Sequence, residues 1–380
     1  MSDRRINLID RVYTPPRSEQ AYLVHRVKRK RVWRNFKILI FLLIFLSIFF
    51  SQVVVSQNSF LGNLGKLSFW EGVVKMAMGK DKILKGELSD RINVLILGMG
   101  GAQHEGPYLT DSIILASIKP SSHQIALLSI PRDLYVPIPK YGWQRINFAN
   151  ALGAARSKDG GELASKVVSD ILSVPVHYWV RADFQIFKEL VDELGGLEIE
   201  VDKGFVDYQF PGPNYQPRTI NFEAGRQVMD GDRALQFVRS RHGGNGENSD
   251  FARSKRQQKV LIAIANKVLE QNILSQPQKI LRFYNIFQDN VSSNLDISQI
   301  IKMARLASYT PLENIITQVI EIGLTGLLEQ TIMDNGAYVL KTKTGNFKEL
   351  AKLAKNIFFE KRLEIELPNL DNSLGNPIPK

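Results

Sequence analysis

Ile92–Leu97 reads INVLIL, a mostly apolar run that is followed directly by Gly98. A short run rich in branched residues and ended by glycine is typical of a buried β-strand. Gly98, Gly100 and Gly101 then allow the backbone to turn sharply. We therefore predict that the folded domain begins at Ile92 and that this strand forms its centre.

Strand-like and helical runs alternate along the chain after this first strand. The predicted strands are Ile113–Ile118, Gln124–Ile130, Leu134–Ile138, Val176–Arg181, Leu197–Val201, Ile315–Ile322 and Ala337–Lys341. The predicted helices are Asn147–Ala155, Gly161–Leu172, Asp183–Leu194, Asp250–Gln271, Pro277–Gln288, Ile297–Ala307 and Phe347–Phe359. Asp202–Ala224, which is rich in proline, is interpreted as a loop-rich insertion, and Gly225–Val238 as a turn and a helix. This alternation predicts a layered α/β domain.

The composition is that of a globular protein and excludes several chemistries. The chain has 380 residues, of which 44% are apolar and 23% charged, so wholesale disorder is excluded. It contains no cysteine, which excludes disulfides, thiol nucleophiles and zinc–thiolate sites. A G-x-x-x-x-G-K-[ST] signature is also missing from the sequence, which argues against a P-loop nucleotidase.

The N-terminal part of the sequence predicts a membrane anchor. Residues 1–37 hold eleven Lys/Arg and three Asp/Glu, so most of the net charge of +11 lies in this tail. Ile38–Val55 carries no charge, and as a helix it would span about 27 Å, close to a membrane core. It lacks the shorter apolar region and the small-residue cleavage site of a signal peptide. The basic flank predicts a cytoplasmic N-terminus, a single span and an extracytoplasmic domain in the cell membrane.

Phe237–Lys259, FVRSRHGGNGENSDFARSKRQQK, concentrates positive charge at one place in the chain. A helix that begins at Asp250 would place Arg253, Arg256 and Gln257 on one face. The glycines between the two halves allow Arg239 and Arg241 to fold back towards them. Because guanidinium groups held together need an anion, this stretch predicts a phosphate or pyrophosphate site. The alternative is a solvated basic helix beside a flexible loop.

Two further clusters carry candidate site residues. Arg132 and Asp133 follow a strand-like run, where α/β sheets gather ligands, although an Arg–Asp pair that only closes a turn is an alternative. Asp111 follows a glycine-rich loop and is a candidate Mg²⁺ ligand, or else an ordinary turn residue. His104 and Glu105 lie in the same loop and could add a ligand or remain solvated.

Six motifs in the same order resemble those of the LytR–CpsA–Psr family of bacterial cell-envelope phosphotransferases. They are Asp111-Ser112, Ser129–Asp133, Arg145–Asn147, Leu194–Val201, Gly225–Arg241 and Asp250–Gln257, and the resemblance covers roughly residues 92–269. It implies a central mixed sheet between helices, with a long apolar pocket for a lipid tail. It also implies transfer of a glycopolymer from a polyprenyl-pyrophosphate carrier onto peptidoglycan, with Mg²⁺. Because topology accounts for the basic tail, we expect no nucleic acid as a partner.

The resemblance assigns roles to individual residues of this sequence. By the motif match, the pyrophosphate-binding residues are Arg132, Arg239, Arg241, Arg253, Arg256 and Gln257. Asp111 matches a metal-binding aspartate of the family, and Asp133 or Asp250 is a candidate general base or else an ion-pair partner that orients arginine. A second family aspartate has no counterpart, because Gly98-Met99-Gly100 stands where the family often has Gly-Ser-Asp.

The predicted organisation has five parts. They are a basic tail (1–37), a transmembrane helix (38–55), a spacer (56–91), a catalytic domain (92–365, with core 92–270 and an α/β extension 271–365) and a loose tail (366–380). Two other functions stay open at this point. One is a binder or pyrophosphatase of the same fold that transfers no glycan, and the other is a membrane-tethered DNA-binding regulator.

Overall fold

The computed structural model describes residues 83–359, apart from 102–103, 105, 158–159, 213–215, 274–275 and 325. Its strands are β1 (Ile92–Met99), β2 (Thr110–Lys119), β3 (Gln124–Ser129), β4 (Tyr135–Ile138), β5 (Gly142–Arg145), β6 (Tyr178–Asp183), β7 (Leu197–Val201), β8 (Phe205–Pro211), β9 (Pro217–Phe222), β10 (Gly225–Met229), β11 (Ser292–Ser293), β12 (Ile315–Val319), β13 (Leu328–Ile332) and β14 (Tyr338–Thr342). Its helices are α1 (Phe148–Ser157), α2 (Gly160–Leu172), α3 (Phe184–Glu193), α4 (Gly231–Arg239), α5 (Asp250–Glu270), α6 (Pro277–Asn290), α7 (Ile297–Ser308) and α8 (Lys348–Asn356).

A six-stranded mixed sheet, in the order β11-β6-β1-β2-β3-β12, forms the centre of the fold. β1 pairs antiparallel with β2 and parallel with β6, while β3 pairs antiparallel with β2 and parallel with β12. The carboxyl ends of β1, β3 and β6 therefore meet at one end of the sheet, where loops can bring ligand-binding residues together. This confirms the predicted α/β fold with a central mixed sheet flanked by helices.

Helices cover both faces of this sheet. Alternate residues of the strands point to opposite faces, so Leu95, Leu115 and Leu128 share one face. That face packs on α1, α2 and α8 in the largest apolar cluster. The other face carries Ile96 and Ile114 and lies opposite α3, α5 and α7. Both faces of β1 are consequently buried, as the unbroken apolar run predicts.

The prediction of a loop-rich insertion at Asp202–Ala224 is wrong, because this segment forms the hairpin β8–β9. Pro211 and Pro217 had suggested a loop, but they occupy the two strand ends, where a missing N–H disturbs the ladder least. Gly225–Met229 is also a strand rather than a turn, and it pairs with β7. The short strands β5, β11 and β13 were not predicted from the sequence.

The N-terminal predictions for residues 1–37 and Ile38–Val55 lie outside the described residues, as do most of the spacer and the C-terminal tail. Among the helices that are described, none combines the length and the apolar character needed to cross a membrane. The extension after residue 270 supplies the edge strand β12 of the central sheet, and its β14 bonds to the loop after β3 through Leu340 N and Asp133 O, at 2.9 Å.

Candidate functional site: an apolar cavity ending at arginines

A cavity of about 690 Å³ lies between the central sheet and the helices α3 to α7. Its floor is formed by strand residues such as Ile96, Ile114 and Val180. Its walls are helical residues that are almost all apolar, namely Ile186, Phe187, Leu190, Leu235, Val238, Val260, Leu261, Ile264, Ile286, Ile300 and Met303. This lining can bury a long hydrocarbon chain and would bind few polar groups.

Four arginines line the same cavity at the end of the sheet where β1, β3 and β6 terminate: Arg132, Arg239, Arg241 and Arg253. Asp111, Ser112, Asp183 and Gln257 line it together with them. The structure thus brings together residues from β2, from the loop after β3, from α4 and its C-terminal loop, and from α5. The cavity is apolar along its length and cationic at one end.

Asp250 holds two of these arginines in place at the start of α5. Ser249 caps this helix, its hydroxyl accepting from Ala252 N at 3.0 Å. Arg241 donates to both carboxylate oxygens of Asp250, at 3.0 and 3.3 Å, and Arg253 Nη1 lies 3.3 Å from Oδ1. Burial alone would raise the pKa of Asp250, but Arg253, Arg241 and Arg132 outweigh it, and the pKa is lowered. Asp250 is therefore ionised at neutral pH, and it is poorly suited to accept a proton.

Arg253 is the most buried of the four guanidinium groups, with 6% of its side chain exposed. Burial lowers its pKa to about 10, an effect opposed by Asp250 and increased by Arg241 and Arg132. Arg253 is still protonated at neutral pH. Its Nε is buried and has no hydrogen-bond partner among the described residues.

Arg132 lies between two carboxylates just beyond β3. Its Nη1 donates to Asp111 Oδ1, and its Nε lies 3.5 Å from Asp133 Oδ2. Burial lowers the pKa of Arg132, but Asp111 and Asp133 outweigh it, and the net pKa is raised. Asp133 is itself buried and accepts from Arg145 Nη1 at 2.9 Å. Asp133 therefore orients arginines on both of its sides.

Arg239 and Gln257 complete the polar end of the cavity. The guanidinium carbon of Arg239 lies 4.4 Å from the ring centre of Phe184 and 5.5 Å from that of Phe210, so cation–π contacts orient it. Gln257 Oε1 accepts from Ser112 Oγ at 2.9 Å, which ties α5 to β2. Both residues line the cavity.

Arg256, which was predicted to bind pyrophosphate, does not line the cavity. Its Nε donates to Phe237 O at 2.9 Å, and its other nitrogens donate to Ser240 O and to the carboxylate of Glu247. These bonds satisfy carbonyls at the C-terminal end of α4. The geometry therefore gives Arg256 a structural role, which is to fasten the α4 end to α5.

The loop after β1 explains how this chain accommodates glycine in place of a family aspartate. A Cβ atom on Gly100 would lie only 2.8 Å from the Cβ of His104, so His104 fills the space of a side chain there. Burial and Arg239 lower the pKa of His104, against the opposing effects of Asp111 and Asp183. His104 is therefore neutral at neutral pH. Glu105, the other candidate ligand in this loop, lies outside the described residues.

Asp111 is the carboxylate at this end that could hold a metal. It is partly exposed, lines the cavity and binds Arg132. Within the described residues no three acidic or histidine side chains gather closely enough to hold a metal ion. A neutral histidine is a poor ligand for Mg²⁺, which prefers oxygen. Among the described residues, Asp111 could hold an Mg²⁺ ion with water and phosphate oxygens as the other ligands.

Sequence reasoning missed Asp207, a buried carboxylate of β8 that positions Arg241. Asp207 Oδ2 accepts from Ser240 Oγ at 2.6 Å and from the backbone nitrogens of Arg241 and His242, both at 3.2 Å. Burial raises its pKa, but these bonds outweigh it and the pKa is lowered. No local signal marked it, because the surrounding segment was interpreted as a loop.

The fold and the site together define a class of protein with a long apolar cavity that ends at four arginines, a shape and charge that suit an amphiphilic anion. The chain belongs to the LytR_cpsA_psr family, whose model matches residues 72–356. This confirms the family inferred from the six motifs.

Named relatives support the same assignment. The chain is 27% identical over 339 residues to the polyisoprenyl-teichoic acid–peptidoglycan teichoic acid transferase TagT of Bacillus subtilis (strain 168), covering 87% of this chain and 97% of TagT. It is 29% identical over 229 residues to the corresponding transferase TagU of Oceanobacillus iheyensis, covering 60% of this chain and 66% of TagU. These names confirm the predicted enzyme class, a transferase.

Solved structures show the same fold. A structure described as TagT bound to LI-WTA superposes with a TM-score of 0.54 at 25% identity, covering 71% of this chain and 91% of that one. A second, described as TagT bound to LIIa-WTA, gives a TM-score of 0.53 at 26% identity, with the same coverage. The sheet-and-helix arrangement described above is thus that of the family.

Proposed function

We propose that this protein transfers a glycopolymer from a polyprenyl-pyrophosphate carrier onto peptidoglycan. The observation that carries the proposal is the apolar cavity that ends at four arginines. A polyprenyl pyrophosphate has the same two parts in the same order, a long hydrocarbon chain and a multiply charged head. The relatives named as polyisoprenyl-teichoic acid–peptidoglycan transferases support this choice of donor and acceptor.

The hydrocarbon part of the donor matches the cavity between the sheet and the helices. Each buried CH₂ group contributes about 0.8 kcal/mol, so several isoprene units along this lining give substantial affinity. The apolar residues of α3 and α5 provide the walls, and these helices are held by packing rather than by the ligand.

The pyrophosphate part matches the cationic end. Guanidinium groups bind phosphate oxygens in a planar, two-pronged geometry that lysine cannot reproduce. Arg253 carries its full charge despite burial, because its pKa of about 10 remains well above neutral pH. Asp250 and Asp133 hold these arginines before the ligand arrives, so little reorganisation is needed during the reaction.

In the proposed reaction a hydroxyl oxygen of peptidoglycan attacks the phosphorus that carries the glycan. A new phosphorus–oxygen bond forms to the acceptor, and the bond to the bridging oxygen breaks. Polyprenyl phosphate leaves with that electron pair, and the hydroxyl proton is released to solvent. Negative charge grows on the bridging and equatorial oxygens, where the arginines stabilise it. The pyrophosphate bond supplies the free energy, so no nucleotide is required.

Asp133 and Asp250 act in this proposal as positioning residues. Both carboxylates already bind two arginines, and the pKa of Asp250 is lowered by them in spite of burial. A proton on Asp250 would break the contacts that hold Arg241 and Arg253. Neither residue is needed as a base if the hydroxyl proton is lost late, as in a loose phosphoryl-transfer transition state.

Mg²⁺ is part of the proposal through Asp111. When bound, the ion would neutralise charge on the pyrophosphate oxygens. Asp111 would exchange its contact with Arg132 for the metal, and Arg132 would then be available to the phosphate. This exchange accounts for a carboxylate placed directly against a ligand-binding arginine.

A single-pass anchor with an extracytoplasmic domain completes the proposal. Its support is the uncharged run Ile38–Val55 with its basic N-terminal flank. A domain outside the membrane meets both the lipid-linked donor and peptidoglycan. A topology reporter fused after Lys380 should therefore be active only outside the cytoplasm, and activity inside it would contradict the proposal.

The direct test uses the full chain in detergent with a labelled polyprenyl-pyrophosphate glycan, Mg²⁺ and peptidoglycan. We expect label covalently attached to peptidoglycan together with an equal amount of polyprenyl phosphate. Release of phosphate lipid without attachment would instead make the protein a hydrolase of the same substrate. A reaction without peptidoglycan is the control, and label in the insoluble fraction there would reveal nonspecific adsorption.

A further inference from the structure

A row of aromatic rings lies on the outer surface of the hairpin β4–β5. We call Tyr135, Trp143 and Phe347 the aromatic platform. The Tyr135 and Trp143 ring centres are 5.4 Å apart with an interplanar angle of 31°, and those of Trp143 and Phe347 are 6.2 Å apart at 21°. Trp143 is 50% exposed, which is unusual for so large an apolar side chain. Exposed aromatic surface of this kind marks an interaction site.

Packing of the hairpin on the domain does not account for Tyr135 and Trp143, whereas Phe347 also packs against the large apolar cluster. Strand residues alternate, so Tyr135, Pro137, Trp143 and Arg145 share the outer face, while Val136 and Ile138 point inwards. Val136 and Ile138 are fully buried in the large apolar cluster and hold the hairpin to the domain. The outer face is thus left for another purpose.

The platform is joined to the arginine site through Asp133. Tyr135 follows Asp133 by two residues and stands opposite Arg145 in the hairpin. Arg145 in turn donates to Asp133, the carboxylate that also lies against Arg132. A molecule bound on the platform would therefore lie beside the place where phosphoryl transfer is proposed.

The platform approaches that site from the side opposite the lipid. The inner face of the hairpin packs with Leu95 and Leu115 on one side of the central sheet. The apolar cavity lies against Ile96 and Ile114 on the other side. The donor and a ligand on the platform can consequently be bound together, as a transfer between two substrates requires.

Sugar rings are the ligands that this surface fits. The face of an aromatic ring is electron-rich, and it attracts the slightly positive C–H groups on the flat side of a pyranose. Lys341 Nζ lies 5.8 Å from the Tyr135 ring centre, and Arg145 stands opposite Tyr135 in the hairpin. Both side chains can donate to sugar hydroxyls at the edge of the platform. Tyr338 adds a partly exposed phenol near Asp133 and Asp250. Burial, and then the charges of these two carboxylates, raise the pKa of Tyr338 and keep it neutral.

We propose that the aromatic platform binds a sugar ring of the acceptor glycan and so presents its hydroxyl to the arginine site. The proposal rests on the proposed function, because the acceptor is defined by the transfer reaction. The donor glycan is the competing occupant, and the kinetic test with both substrates distinguishes it from the acceptor.

Binding of an N-acetylglucosamine tetrasaccharide to the full chain in detergent tests the platform, with isothermal titration or saturation-transfer NMR as the measurement. We expect Trp143→Ala to weaken binding at least tenfold and Trp143→Phe to stay within about threefold of the unchanged chain, since stacking needs a ring. Tyr309→Ala removes a ring that is 59% exposed, near the β2–β3 turn at the other end of the sheet, and should have no effect. Thermal unfolding of each variant checks folding.

Kinetics with both substrates identify which one the platform holds. For Trp143→Ala we expect a higher KM for peptidoglycan and an unchanged KM for the lipid-linked donor. A rise in the donor KM alone, or tetrasaccharide binding equal in Trp143→Ala and the unchanged chain, overturns the proposal. The two proposals fail separately. A chain that binds polyprenyl pyrophosphate but no saccharide at millimolar concentration refutes the platform, and one that binds the saccharide but no lipid pyrophosphate refutes the proposed function.

Discussion

Arg253 illustrates how one side chain can be held by the protein and still line the cavity. Its Nη1 contacts Asp250 and its Nη2 lies 3.5 Å from Asp111 O, while the buried Nε lacks a hydrogen-bond partner among the described residues. Leaving a buried donor unsatisfied is unfavourable, and it persists here because the remaining contacts fix the guanidinium. The same guanidinium group lines the cavity, where we propose that it binds phosphate oxygens.

Replacing Arg253 with alanine should weaken binding of polyprenyl pyrophosphate by roughly 10- to 150-fold, because a charge-assisted hydrogen bond contributes about 1.5–3 kcal/mol. Titration of the lipid into the full chain measures this. Arg226→Ala is a matched control. Arg226 is an exposed arginine of β10 that pairs with Glu198 and Glu200 of β7, and it is not among the residues that line the cavity. A change below threefold in Arg253→Ala would remove Arg253 from the site.

Asp111→Asn tests whether the carboxylate of Asp111 binds Mg²⁺. We expect the Mg²⁺ concentration needed for half-maximal transfer to rise at least tenfold, because an amide binds Mg²⁺ far less well than a carboxylate. Lipid binding without metal should not weaken, since Arg132 keeps its charge. Asp170→Asn, on a surface pair with Lys166, is the control. Unaltered Mg²⁺ dependence in Asp111→Asn would show that Asp111 is not a ligand.

At the scale of elements, one face of α5 lines the apolar cavity and another packs on the end of α4. Arg253, Gln257, Leu261 and Ile264 face the apolar cavity. Arg256 faces the end of α4 instead. Neighbouring residues of this helix should therefore respond to substitution in different ways, and the following two comparisons use that difference.

Arg256→Ala should lower the free energy of unfolding by about 3 kcal/mol, because the carboxylate of Glu247 and two carbonyl oxygens of the α4 end lose their hydrogen-bond donor. Lys255→Ala removes an exposed lysine one residue earlier, paired with Glu321 at the surface, and should change stability by less than about 0.5 kcal/mol. Urea unfolding of both variants measures the difference. An Arg256→Ala protein with full stability but no pyrophosphate binding would place Arg256 in the site after all.

Leu261→Trp should shorten the apolar cavity and select against long lipids. We expect at least a tenfold loss of affinity for a long polyprenyl pyrophosphate and a smaller loss for a ten-carbon pyrophosphate. Ile262→Trp is the control, because Ile262 lines a separate cavity of about 920 Å³ that involves α5, β12 and α8. Equal effects of the two substitutions would mean that the lipid does not occupy the cavity beside Leu261.

At the scale of the whole molecule, two histidines link stability to pH. His177 Nδ1 accepts from Asn93 N at 3.0 Å, beside β1. Burial, and then Lys85 and Arg91, lower the pKa of His177 below its ordinary value of 6.5, and the pKa of His104 is lowered as well. The unfolded chain therefore binds more protons between these folded pKa values and 6.5, so stability falls as the pH decreases below about 6.5.

His177→Asn should reduce this loss of stability between pH 7.5 and 5, because asparagine can accept the same hydrogen bond without titrating. Urea unfolding at several pH values measures the slope, and pH 5 is high enough to keep Asp250 and Asp207 ionised, since the pKa of each is lowered from 3.8. His123→Asn is the control. His123 has a φ of 49°, which asparagine tolerates, so this variant removes a histidine elsewhere in the chain without disturbing the turn. An unchanged slope in His177→Asn would contradict the assignment.

The central elements and much of the site could be predicted because their signals are local. The apolar run of β1, the glycines after α3 and the arginine spacing of α5 each depend on residues close in sequence. The β8–β9 hairpin could not be predicted from its prolines, because its partner strand and the bonds of Asp207 to Ser240 come from distant positions. Predictions for residues 1–82 and 360–380, including the anchor, stay predictions.

The sequence by itself determined the fold class, the family and the cluster of arginines, because periodicity and motif order are properties of the chain alone. Tertiary structure decided which arginines face the cavity. Arg253 and Arg256 are three residues apart on one helix, yet the α4 end occupies Arg256 while Arg253 lines the cavity. Tertiary structure also placed the aromatic platform beside Asp133. Burial and partners across the sheet decide such roles, and spacing along a helix does not specify them.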